Sequence, residues 1–477
     1  MNPTQIRLVD KMYINGEFVT PHGNQVADLI NPTTAQLIGR VTLGDETDTR
    51  RAIAAAKAAF KDFSTSSIAT RMDCLQRLHD AVLRRINDLK EATIDEYGAT
   101  VERAEWSNRI AAESFLEFKQ LLQGFAFERK VGASTVVLTP LGVSAILTAW
   151  NSNVGSICIK LAPAIAAGCT VVIKASEMSA IQTQILTECF HDAGLPAGII
   201  NVVNGRGAVV GGELAKNPDV AKIAFTGSTQ VGKEIARAAL DTMKRVTLEL
   251  SGKSPNVILD DADLTKAIPM AVTACFMNNG QACIAGSRLI VPEHRLPEVK
   301  ALVRSAVEKL KVGNPRDTQT AIGPLVSRKQ HDRVSQYIKI GLDEGAELII
   351  GGEGRPKGIE EEGFFVKPTV FAGVTSDMRI AREEIFGPVL SIISYKTEEE
   401  AVQIANDTVY GLQAYVSSAN LDRAKRVASQ IDAGRVMINT LHHDPLAPFG
   451  GFKQSGIGRE GGMFGLEEFL EPKAILS

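Results

Sequence analysis

Residues 142–176 read GVSAILTAWNSNVGSICIKLAPAIAAGCTVVIKAS, and this stretch decides the fold class. It opens with the run GVSAILTAW and closes with TVVIKAS, which are both short and rich in apolar and β-branched residues. The segment SICIKLAPAIAAG between them is typical of a helix. Apolar strands that alternate with helices indicate a parallel sheet covered on both faces. The stretch therefore predicts an α/β fold.

The same alternation continues after this stretch. A helical segment at 179–194 is followed by the strand-like runs GIINVV (198–203) and AKIAFTG (221–227). A second alternating region runs from PNVILD at residue 255 to about residue 440. Parallel sheets of this kind bind dinucleotides at the carboxyl ends of their strands. The sequence therefore predicts a dinucleotide site in the first region.

The two ends of the chain carry other local signals. The Asn-Gly pair in KMYINGEFVT (11–20) predicts a hairpin turn. An alanine-rich stretch predicts a helix over 46–60, and apolar residues at three- and four-residue steps predict a second helix over 72–86. Near the C-terminus, FLEPKAIL (469–476) predicts a terminal strand.

Bulk properties narrow the class of protein. With 477 residues we expect two or three domains, and the net charge of −3 argues against binding to nucleic acid or to an anionic membrane. An apolar run of about 13 residues (161–173) is too short to span a bilayer, and the first residues do not resemble a signal peptide. Six scattered cysteines without a CxxC pair disfavour a metal site and favour a reducing cytoplasm.

Two residues suggest covalent chemistry on a carbonyl group. Cys283 lies in FMNNGQACIAGSR (276–288), and Glu249 lies in TLELSGKSP (247–255). A thiol nucleophile and a carboxylate base are the minimum for such catalysis. Because Glu249 ends an apolar strand-like run, we expect it to be semi-buried with a raised pKa. The other five cysteines are interpreted as small buried hydrophobic residues.

A phosphate-binding turn is predicted at FTGSTQVG (225–232), where a strand ends and a helix begins. Backbone N–H groups at the helix N-terminus, with Gly227 and the Ser228 hydroxyl, form a seat for a pyrophosphate. The string GRGAVVG, which starts at Gly205, has the wrong spacing for a G-x-G-x-x-G motif and is a weaker candidate.

These motifs together resemble the NAD(P)-dependent aldehyde dehydrogenase superfamily, and the resemblance covers essentially the whole chain. It implies a Rossmann-type NAD-binding domain (1–121 and 141–250) and an α/β catalytic domain (251–440). It also implies a small β extension (122–140 and 441–477) that pairs across subunits in a homodimer or homotetramer. Further matching strings, in the expected order, are VGNP (312–315), IANDTVYGL (404–412), GRVMIN (434–439), PFGGFKQSGIGRE (448–460) and FGLEEF (464–469).

The resemblance assigns catalytic roles. Cys283 would form a thiohemiacetal and then a thioester, which water hydrolyses with Glu249 as general base. Asn151 and the backbone N–H of Cys283 would stabilise the oxyanion. Lys160 resembles an interior lysine that is sometimes assigned to proton relay, and a structural ion pair explains it nearly as well.

The resemblance also assigns the cofactor site. Lys174 and Glu177 would hold the adenosine ribose, and the Glu177 carboxylate favours NAD over NADP, although NADP stays possible. Glu384 and Phe386, in EEIFGPV, would hold the nicotinamide ribose and pack on the ring. The expected cofactor-binding residues are Trp150, Lys174, Glu177, Gly205, Gly227, Ser228, Glu384 and Phe386.

Two alternative functions and the substrate stay open. A CoA-acylating dehydrogenase typically lacks the base that Glu249 would supply, and a non-catalytic protein with this fold would not need Cys283. The family commonly reads Pro-Trp-Asn-Phe-Pro where this chain has Ala-Trp-Asn-Ser-Asn (149–153), so the pocket differs in shape. Met277 stands where some semialdehyde enzymes have an arginine, and we expect a mid-sized neutral aldehyde. Other candidates to line the pocket are Asn153, Ala282, Ile284 and residues 442–444.

Overall fold

A computed structural model describes residues 6–360 and 362–476 of the chain. The outermost predicted boundaries, at residues 1 and 477, lie outside this part. The strands are β1 (Arg7–Val9), β2 (Met12–Ile14), β3 (Glu17–Val19), β4 (Gln25–Ile30), β5 (Leu37–Leu43), β6 (Glu128–Val131), β7 (Ser134–Pro140), β8 (Val143–Leu147), β9 (Thr170–Lys174), β10 (Ile200–Val202), β11 (Val220–Thr226), β12 (Arg245–Glu249), β13 (Pro255–Ile258), β14 (Arg288–Pro292), β15 (Glu347–Ile350), β16 (Thr369–Ala372), β17 (Val389–Tyr395), β18 (Gln413–Ser417), β19 (Arg435–Ile438), β20 (Gly456–Ile457) and β21 (Leu470–Ile475).

Helices cover the sheets and connect their strands. Within the described residues, no helix is long and apolar enough to cross a membrane. The helices are α1 (Glu46–Phe63), α2 (Ile68–Arg84), α3 (Ile86–Tyr97), α4 (Val101–Leu122), α5 (Asn153–Ala167), α6 (Ala180–Asp192), α7 (Gly212–Lys216), α8 (Thr229–Leu240), α9 (Leu264–Phe276), α10 (Leu296–Glu308), α11 (Arg328–Asp343), α12 (Arg379–Arg382), α13 (Glu398–Asn406), α14 (Leu421–Ala428) and α15 (Gly462–Glu467).

The first large sheet has eight strands in the order β20-β12-β11-β8-β9-β10-β2-β3. Its five central strands are parallel, and antiparallel strands close both edges. Along β9, Val171 and Ile173 pack into one hydrophobic core and Val172 into another on the opposite face. The sheet is therefore covered on both faces, as the sequence predicted.

The second large sheet has seven strands in the order β15-β16-β17-β14-β13-β18-β19. All its pairs are parallel except β15 with β16. It starts six residues after the first sheet's strand β12 ends, since Glu249 ends β12 and Pro255 begins β13. The predicted domain boundary near residue 250 lies in this connection. The division into domains stays a prediction that these two sheets support.

A small sheet joins the two segments that were predicted as the oligomerisation extension. Its order is β21-β7-β6, and the terminal strand expected from FLEPKAIL is present as β21. This strand pairs with β7 of its own chain, whereas we expected pairing across subunits. The segment 441–477 also contributes β20, which pairs with β12 beside Glu249.

The N-terminal signals agree with the structure, with one difference in helix boundaries. Asn15 and Gly16 have φ of 56° and 82°, and they form the turn between β2 and β3. Helix α1 covers the predicted 46–60 stretch. The helix predicted over 72–86 ends as α2 at Arg84, because Arg85 leaves the helical region (φ −105°, ψ 16°) before α3 begins.

Arg288 ties the start of the second sheet to neighbouring backbone. Its guanidinium is 2% exposed and donates to the carbonyl oxygens of Lys253, Ile404 and Ala405 at 2.9, 2.7 and 2.8 Å. The side chain has no carboxylate partner among the described residues, so it acts as a donor that satisfies buried carbonyl groups.

Arg288→Met should lower the free energy of unfolding by roughly 3 kcal/mol or more, because three buried carbonyl groups lose their donor. Thermal and denaturant midpoints measured by fluorescence would report the loss. Arg304→Met, the same change at an exposed position of α10, should move the midpoints very little. Equal midpoints for both variants would contradict this account of Arg288.

Candidate active site

Glu249 is the last residue of β12 and stands at its carboxyl end, just before the connection to the second large sheet. Its side chain is 2% exposed, and neither carboxyl oxygen has a hydrogen-bond partner among the described residues. Burial raises the pKa of Glu249 well above its usual range, the charge of Glu460 raises it further, and Lys160 opposes the rise. This agrees with the raised pKa predicted from the sequence. The carboxyl group has the high proton affinity of a general base.

The loop that carries Cys283, residues 277–287, begins with an unusual backbone conformation. Asn278, Asn279 and Gly280 have φ of 55°, 59° and 71°, so three successive residues are left-handed. Such a conformation is costly for residues with a side chain. The Asn279 side chain offsets this cost, because it donates to the carbonyl oxygens of Gly98 and Pro324 at 3.0 and 3.1 Å and accepts from the N–H of residue 323 at 2.7 Å.

Tyr97 and Gln281 fix the same loop from a second side. The Tyr97 hydroxyl donates to the Asn278 carbonyl oxygen at 2.9 Å, and Gln281 Nε2 donates to the Tyr97 hydroxyl at 3.2 Å. Gln281 Oε1 accepts from the Val326 N–H at 3.1 Å. Side chains and backbone from three separate parts of the chain therefore fix residues 278–281, which lead into Cys283.

The Cys283 thiol is partly exposed, whereas the other five cysteines are buried, and all six are free. Burial raises the pKa of this thiol to about 12, the charges of Glu384 and Glu249 raise it further, and Arg435 opposes them. A side chain at Gly252 would overlap the Cys283 carbonyl oxygen, so the turn after Glu249 packs directly on the nucleophile segment. The thiol is neutral at pH 7 and must lose its proton before it attacks.

Asn151 lies beside the nucleophile segment, as predicted. Its Nδ2 donates to the Gln281 carbonyl oxygen at 3.0 Å, and its own carbonyl oxygen accepts from Asn278 Nδ2 at 3.1 Å. An amide nitrogen has two hydrogens, so one stays free for a developing oxyanion. The geometry is compatible with the role expected for Asn151.

Lys160 is held by a partner that the sequence reasoning missed. Its Nζ lies 2.7 Å from Glu460 Oε1 and 2.6 Å from the Thr226 hydroxyl oxygen, and the lysine side chain is 2% exposed. Both Lys160 and Glu460 act electrostatically on Glu249. A lysine inside a buried helix requires a counter-charge, so the position of Lys160 in an apolar helical segment could have predicted an acidic partner.

A second group of predicted residues lies along the carboxyl edge of the first sheet. Lys174 ends β9, and its Nζ is 3.4 Å from Glu177 Oε2. Gly227 and Ser228 follow β11, and Ser228 Oγ caps α8 by accepting from the N–H of residue 231 at 3.4 Å. The Gly227 N–H donates to the Glu249 carbonyl oxygen at 3.1 Å, which joins this edge to the base. Lys174 and Glu177 are called the ribose pair below, because they are predicted to hold the adenosine ribose. This pair and the N-terminus of α8 are compatible with a dinucleotide.

Trp150, Glu384 and Phe386 close the cleft from both sheets. The Trp150 and Phe386 rings meet edge to face with centroids 5.4 Å apart. Glu384 is half-buried and accepts from the Gly252 N–H at 3.0 Å. Phe386 has a positive φ of 64°, which directs its ring towards Trp150. Their aromatic and carboxylate groups are compatible with the nicotinamide riboside site predicted for them, and these cofactor roles stay predictions.

A model of the aldehyde dehydrogenase family matches residues 18–475. The chain belongs to the aldehyde dehydrogenase family. A 3-succinoylsemialdehyde-pyridine dehydrogenase from Pseudomonas sp. is 44% identical over 468 residues, with 98% of each chain covered. The recognised family and the α/β fold class are thus confirmed.

Two solved structures support the same conclusion. Aldehyde dehydrogenase C from Pseudomonas syringae, crystallised with NAD and octanal, is 45% identical with a TM-score of 0.97, covering 100% of this chain and 99% of that one. A betaine aldehyde dehydrogenase from Staphylococcus aureus, crystallised with NAD, is 34% identical with a TM-score of 0.95, covering 98% and 94%. Oxidation of an aldehyde with NAD(P) is the standard reaction of the aldehyde dehydrogenase family, and the predicted reaction class and cofactor are confirmed.

The weakest cofactor prediction in this aldehyde dehydrogenase concerns Gly205. Gly205 packs against Gly44 and Val210, and the following string forms a π-helical turn rather than a phosphate-binding loop. The next residue, Arg206, was missed by the sequence reasoning. Its Nη1 lies 3.1 Å from Glu177 Oε1, so it supplies a second positive charge at the ribose pair.

The pH dependence of Cys283 alkylation should reveal its electrostatic environment. Without cofactor, labelling by iodoacetamide should be slow at about pH 7 and rise continuously beyond about pH 9, because only the thiolate reacts. A nearby negative charge raises a thiol pKa, so Glu384→Gln should lower the pKa and accelerate labelling severalfold at about pH 8. Cys283→Ala, which leaves the buried cysteines, should show little labelling. Slower labelling of the Glu384 variant would contradict the expectation that the charge of Glu384 raises the pKa of the Cys283 thiol.

Proposed function

We propose that this chain oxidises an aldehyde in two stages on Cys283, with NAD as the preferred hydride acceptor and water as the acyl acceptor. The single observation that carries the proposal is the Glu249 carboxyl group. It is buried, it has no hydrogen-bond partner among the described residues, and its charge acts on the Cys283 thiol. A fold without catalysis would gain nothing from such a costly group.

In the first stage the partly exposed Cys283 thiol releases its proton to solvent water, and Sγ forms a bond to the aldehyde carbon. The carbonyl electron pair moves to oxygen, and the resulting oxyanion accepts a hydrogen bond from the free Asn151 amide hydrogen. Asn151 is held in place by Gln281 and Asn278. Because these contacts exist before the reaction, the donor needs no rearrangement when charge develops.

NAD, when bound, would accept the hydride that the thiohemiacetal carbon loses, and a thioester would remain on Cys283. The edge-to-face contact between Trp150 and Phe386 would limit the orientation of a ring placed beside them. Glu384, which is half-buried, would present its carboxyl group to the ribose hydroxyls.

In the second stage Glu249 accepts a proton from water while the water oxygen attacks the thioester carbon. The C–S bond breaks, the carboxylic acid leaves, and Cys283 takes back a proton. Glu460 and Lys160 set the proton affinity of Glu249 in opposite directions. The ion pair supports the structural role considered for Lys160, and its charges also act on the base.

The two alternative functions make different predictions about coenzyme A and turnover. Glu249 argues for hydrolysis rather than acyl transfer to CoA, since it is positioned to activate water. A non-catalytic protein would have no reason to keep Cys283, Glu249 and Asn151 together. Reduction of NAD by an aldehyde at a rate that CoA does not change would favour the proposal, and CoA-dependent reduction would overturn it.

A mid-sized neutral aldehyde is the proposed substrate class. Octanal is bound by the aldehyde dehydrogenase from Pseudomonas syringae. Met277 offers no charge for a carboxylate at the position where an arginine would recognise one. Asn153, expected to line the pocket, has its amide engaged by Thr148 and Thr183 at 3.3 and 2.9 Å. It shapes the wall of the pocket and has little capacity left for a ligand.

We also propose that the chain forms a homodimer or homotetramer in the cytoplasm. One edge of β21 stays unpaired in the small sheet, and Ile475 and Leu476 are 49% and 77% exposed there. An adhesive edge of this kind is a liability unless a second subunit covers it. The six free cysteines agree with a reducing compartment. A mass near 51 kDa by light scattering would overturn the oligomer.

Glu249→Gln should separate the two stages of the reaction. Hydride loss precedes the base-assisted step, so rapid mixing should give a burst of about one NADH per active site and then slow turnover. Absence of the burst, with slow chemistry throughout, would show that Glu249 acts earlier, in activating the thiol.

Cys283→Ala should abolish activity while NAD binding, measured by calorimetry, stays intact.

Substitutions at the ribose pair should shift cofactor preference in opposite directions. Glu177→Ala should improve NADP use relative to NAD about tenfold, because it removes a charge that repels a 2′-phosphate by on the order of 1 kcal/mol and frees Arg206 to attract it. Arg206→Ala should strengthen the preference for NAD. The kcat/KM ratios for the two cofactors test this, and a wild-type preference for NADP would contradict it.

A further inference from the structure

The half-buried guanidinium of Arg435, in β19, lies near the base and has no carboxylate partner among the described residues. A Cβ at the preceding residue, Gly434, would overlap the Gly450 carbonyl oxygen, and a Cβ at Gly450 would lie 2.8 Å from Glu249 Oε1. The start of β19 therefore packs beside the base. A partly desolvated cation costs free energy unless an opposite charge compensates it, so the position of Arg435 requires a reason.

Three neutral side chains fix the position of this guanidinium. Gln413, which is opposite Arg435 in the β18–β19 pair, accepts from its Nε at 2.7 Å and also from its Nη2. Nδ1 of His443 lies 2.7 Å from Nη1, and the centre of the Phe449 ring lies 4.9 Å from Cζ. Because a guanidinium only donates, His443 accepts at Nδ1 and its imidazole is neutral. None of the three groups carries a negative charge.

A directed hydrogen-bond chain runs from Arg435 to the backbone beside the nucleophile. Gln413 Oε1 accepts from the guanidinium, so Gln413 Nε2 is left to donate, and it donates to the Tyr415 hydroxyl. The Tyr415 hydroxyl then donates to the carbonyl oxygen of Ile284 at 2.9 Å. Gln413 and Tyr415 lie on the same face of β18, and they are 1% and 2% exposed. The chain therefore fixes the residue that directly follows Cys283.

The Cys283 thiol is the acidic group that this cation can stabilise as an anion. Burial and two carboxylates raise the pKa of the thiol, whereas the positive charge of Arg435 lowers it. The charged and titratable side chains that act on the thiol are Glu384, Glu249, Arg435, Arg103 and Tyr415. Those that act on Arg435, or on which it acts, are Tyr415, Cys283, Glu249 and His443. A thiolate would supply the negative charge that the guanidinium lacks.

We propose that Arg435 is a positioning residue for the nucleophile: its fixed charge stabilises the Cys283 thiolate, and its hydrogen-bond chain holds the residue that follows Cys283. This inference rests on the proposed function, in which Cys283 attacks the aldehyde as a thiolate. The thiol proton goes to water in that step, and no electrons are exchanged with Arg435. Arg435 needs no contact with the aldehyde for this role, because it acts on the equilibrium between thiol and thiolate.

The rate of iodoacetamide labelling at Cys283, measured without cofactor by peptide mass spectrometry, tests the charge. Arg435→Met should slow labelling about tenfold at each pH from about 7 to 9, because a rise of about one unit in the thiol pKa lowers the thiolate fraction tenfold. Arg435→Gln, a second uncharged variant, should show the same fall. Arg435→Lys loses the planar fork but keeps the charge, so it should label within about threefold of wild type.

Arg426→Met is the matched control for these variants. Arg426 is exposed on α14, and its Nη2 lies 3.6 Å from Glu398 Oε1. The control should label at the wild-type rate, because it removes an arginine that does not act on the thiol.

Turnover of hexanal with NAD, followed as NADH formation, gives a second measurement. Both uncharged variants of Arg435 should lose about tenfold in kcat/KM for hexanal, while KM for NAD stays within about twofold of wild type. Tyr415→Phe removes the donor to Ile284 but leaves the charge of Arg435. This variant should lower kcat severalfold and leave the pH dependence of labelling unchanged. A wild-type kcat in Tyr415→Phe would overturn the role of the hydrogen-bond chain.

The labelling rates decide the role of the charge. Wild-type rates in both uncharged variants overturn it. An equal fall in the Met, Gln and Lys variants of Arg435 also overturns it, because Arg435 would then only support the structure, as lowered thermal midpoints would show. If wild type oxidises hexanal and all variants label alike, this inference fails alone. If wild type oxidises no aldehyde but the labelling order holds, the proposed function fails and the action of Arg435 on the thiol stands.

Discussion

Three successive left-handed residues, Asn278, Asn279 and Gly280, set the geometry on which the active site depends. Each residue with a side chain costs roughly 1–2 kcal/mol in this conformation. The surrounding protein offsets the cost with hydrogen bonds from Tyr97, Asn279 and Gln281. The left-handed turn is therefore stable only in the folded protein, and the position of the nucleophile depends on both large sheets and the helices around them.

The cleft between the sheets is an environment in which charges act strongly on one another. Burial raises the pKa of the Cys283 thiol to about 12, so the thiol is protonated at rest, and burial also raises the pKa of the Glu249 carboxyl group well above its usual range. Lys160 and Glu460 bring opposite charges next to the base without bonding to it. The proton affinity of the base is thus set by burial and by two fixed charges from other parts of the chain, without a direct hydrogen bond to the carboxyl group from any described residue.

Local patterns in the sequence predicted the local features well. The parallel sheet, the hairpin at Asn15 and the raised pKa of Glu249 all follow from runs of a few residues. Features that depend on distant contacts were not predictable in this way. Glu460 lies far along the chain from Lys160, and the edge to which β21 pairs is set by the folded chain. The positive φ of Phe386 likewise has no local signal, since phenylalanine does not favour it.

The surroundings of Glu249 are completed by a part of the chain that follows it by many residues. Gly450 lies over the carboxyl group, β20 pairs with the strand that carries it, and Glu460 tunes it. During translation the nucleophile and the base therefore leave the ribosome well before the segment that completes their surroundings. A nascent chain can pair β8 to β12 before β20 is made, but the surroundings of the base form only when synthesis is almost complete. A chain that ends before residue 450 therefore contains Cys283 and Glu249 but lacks the residues that cover and tune the base.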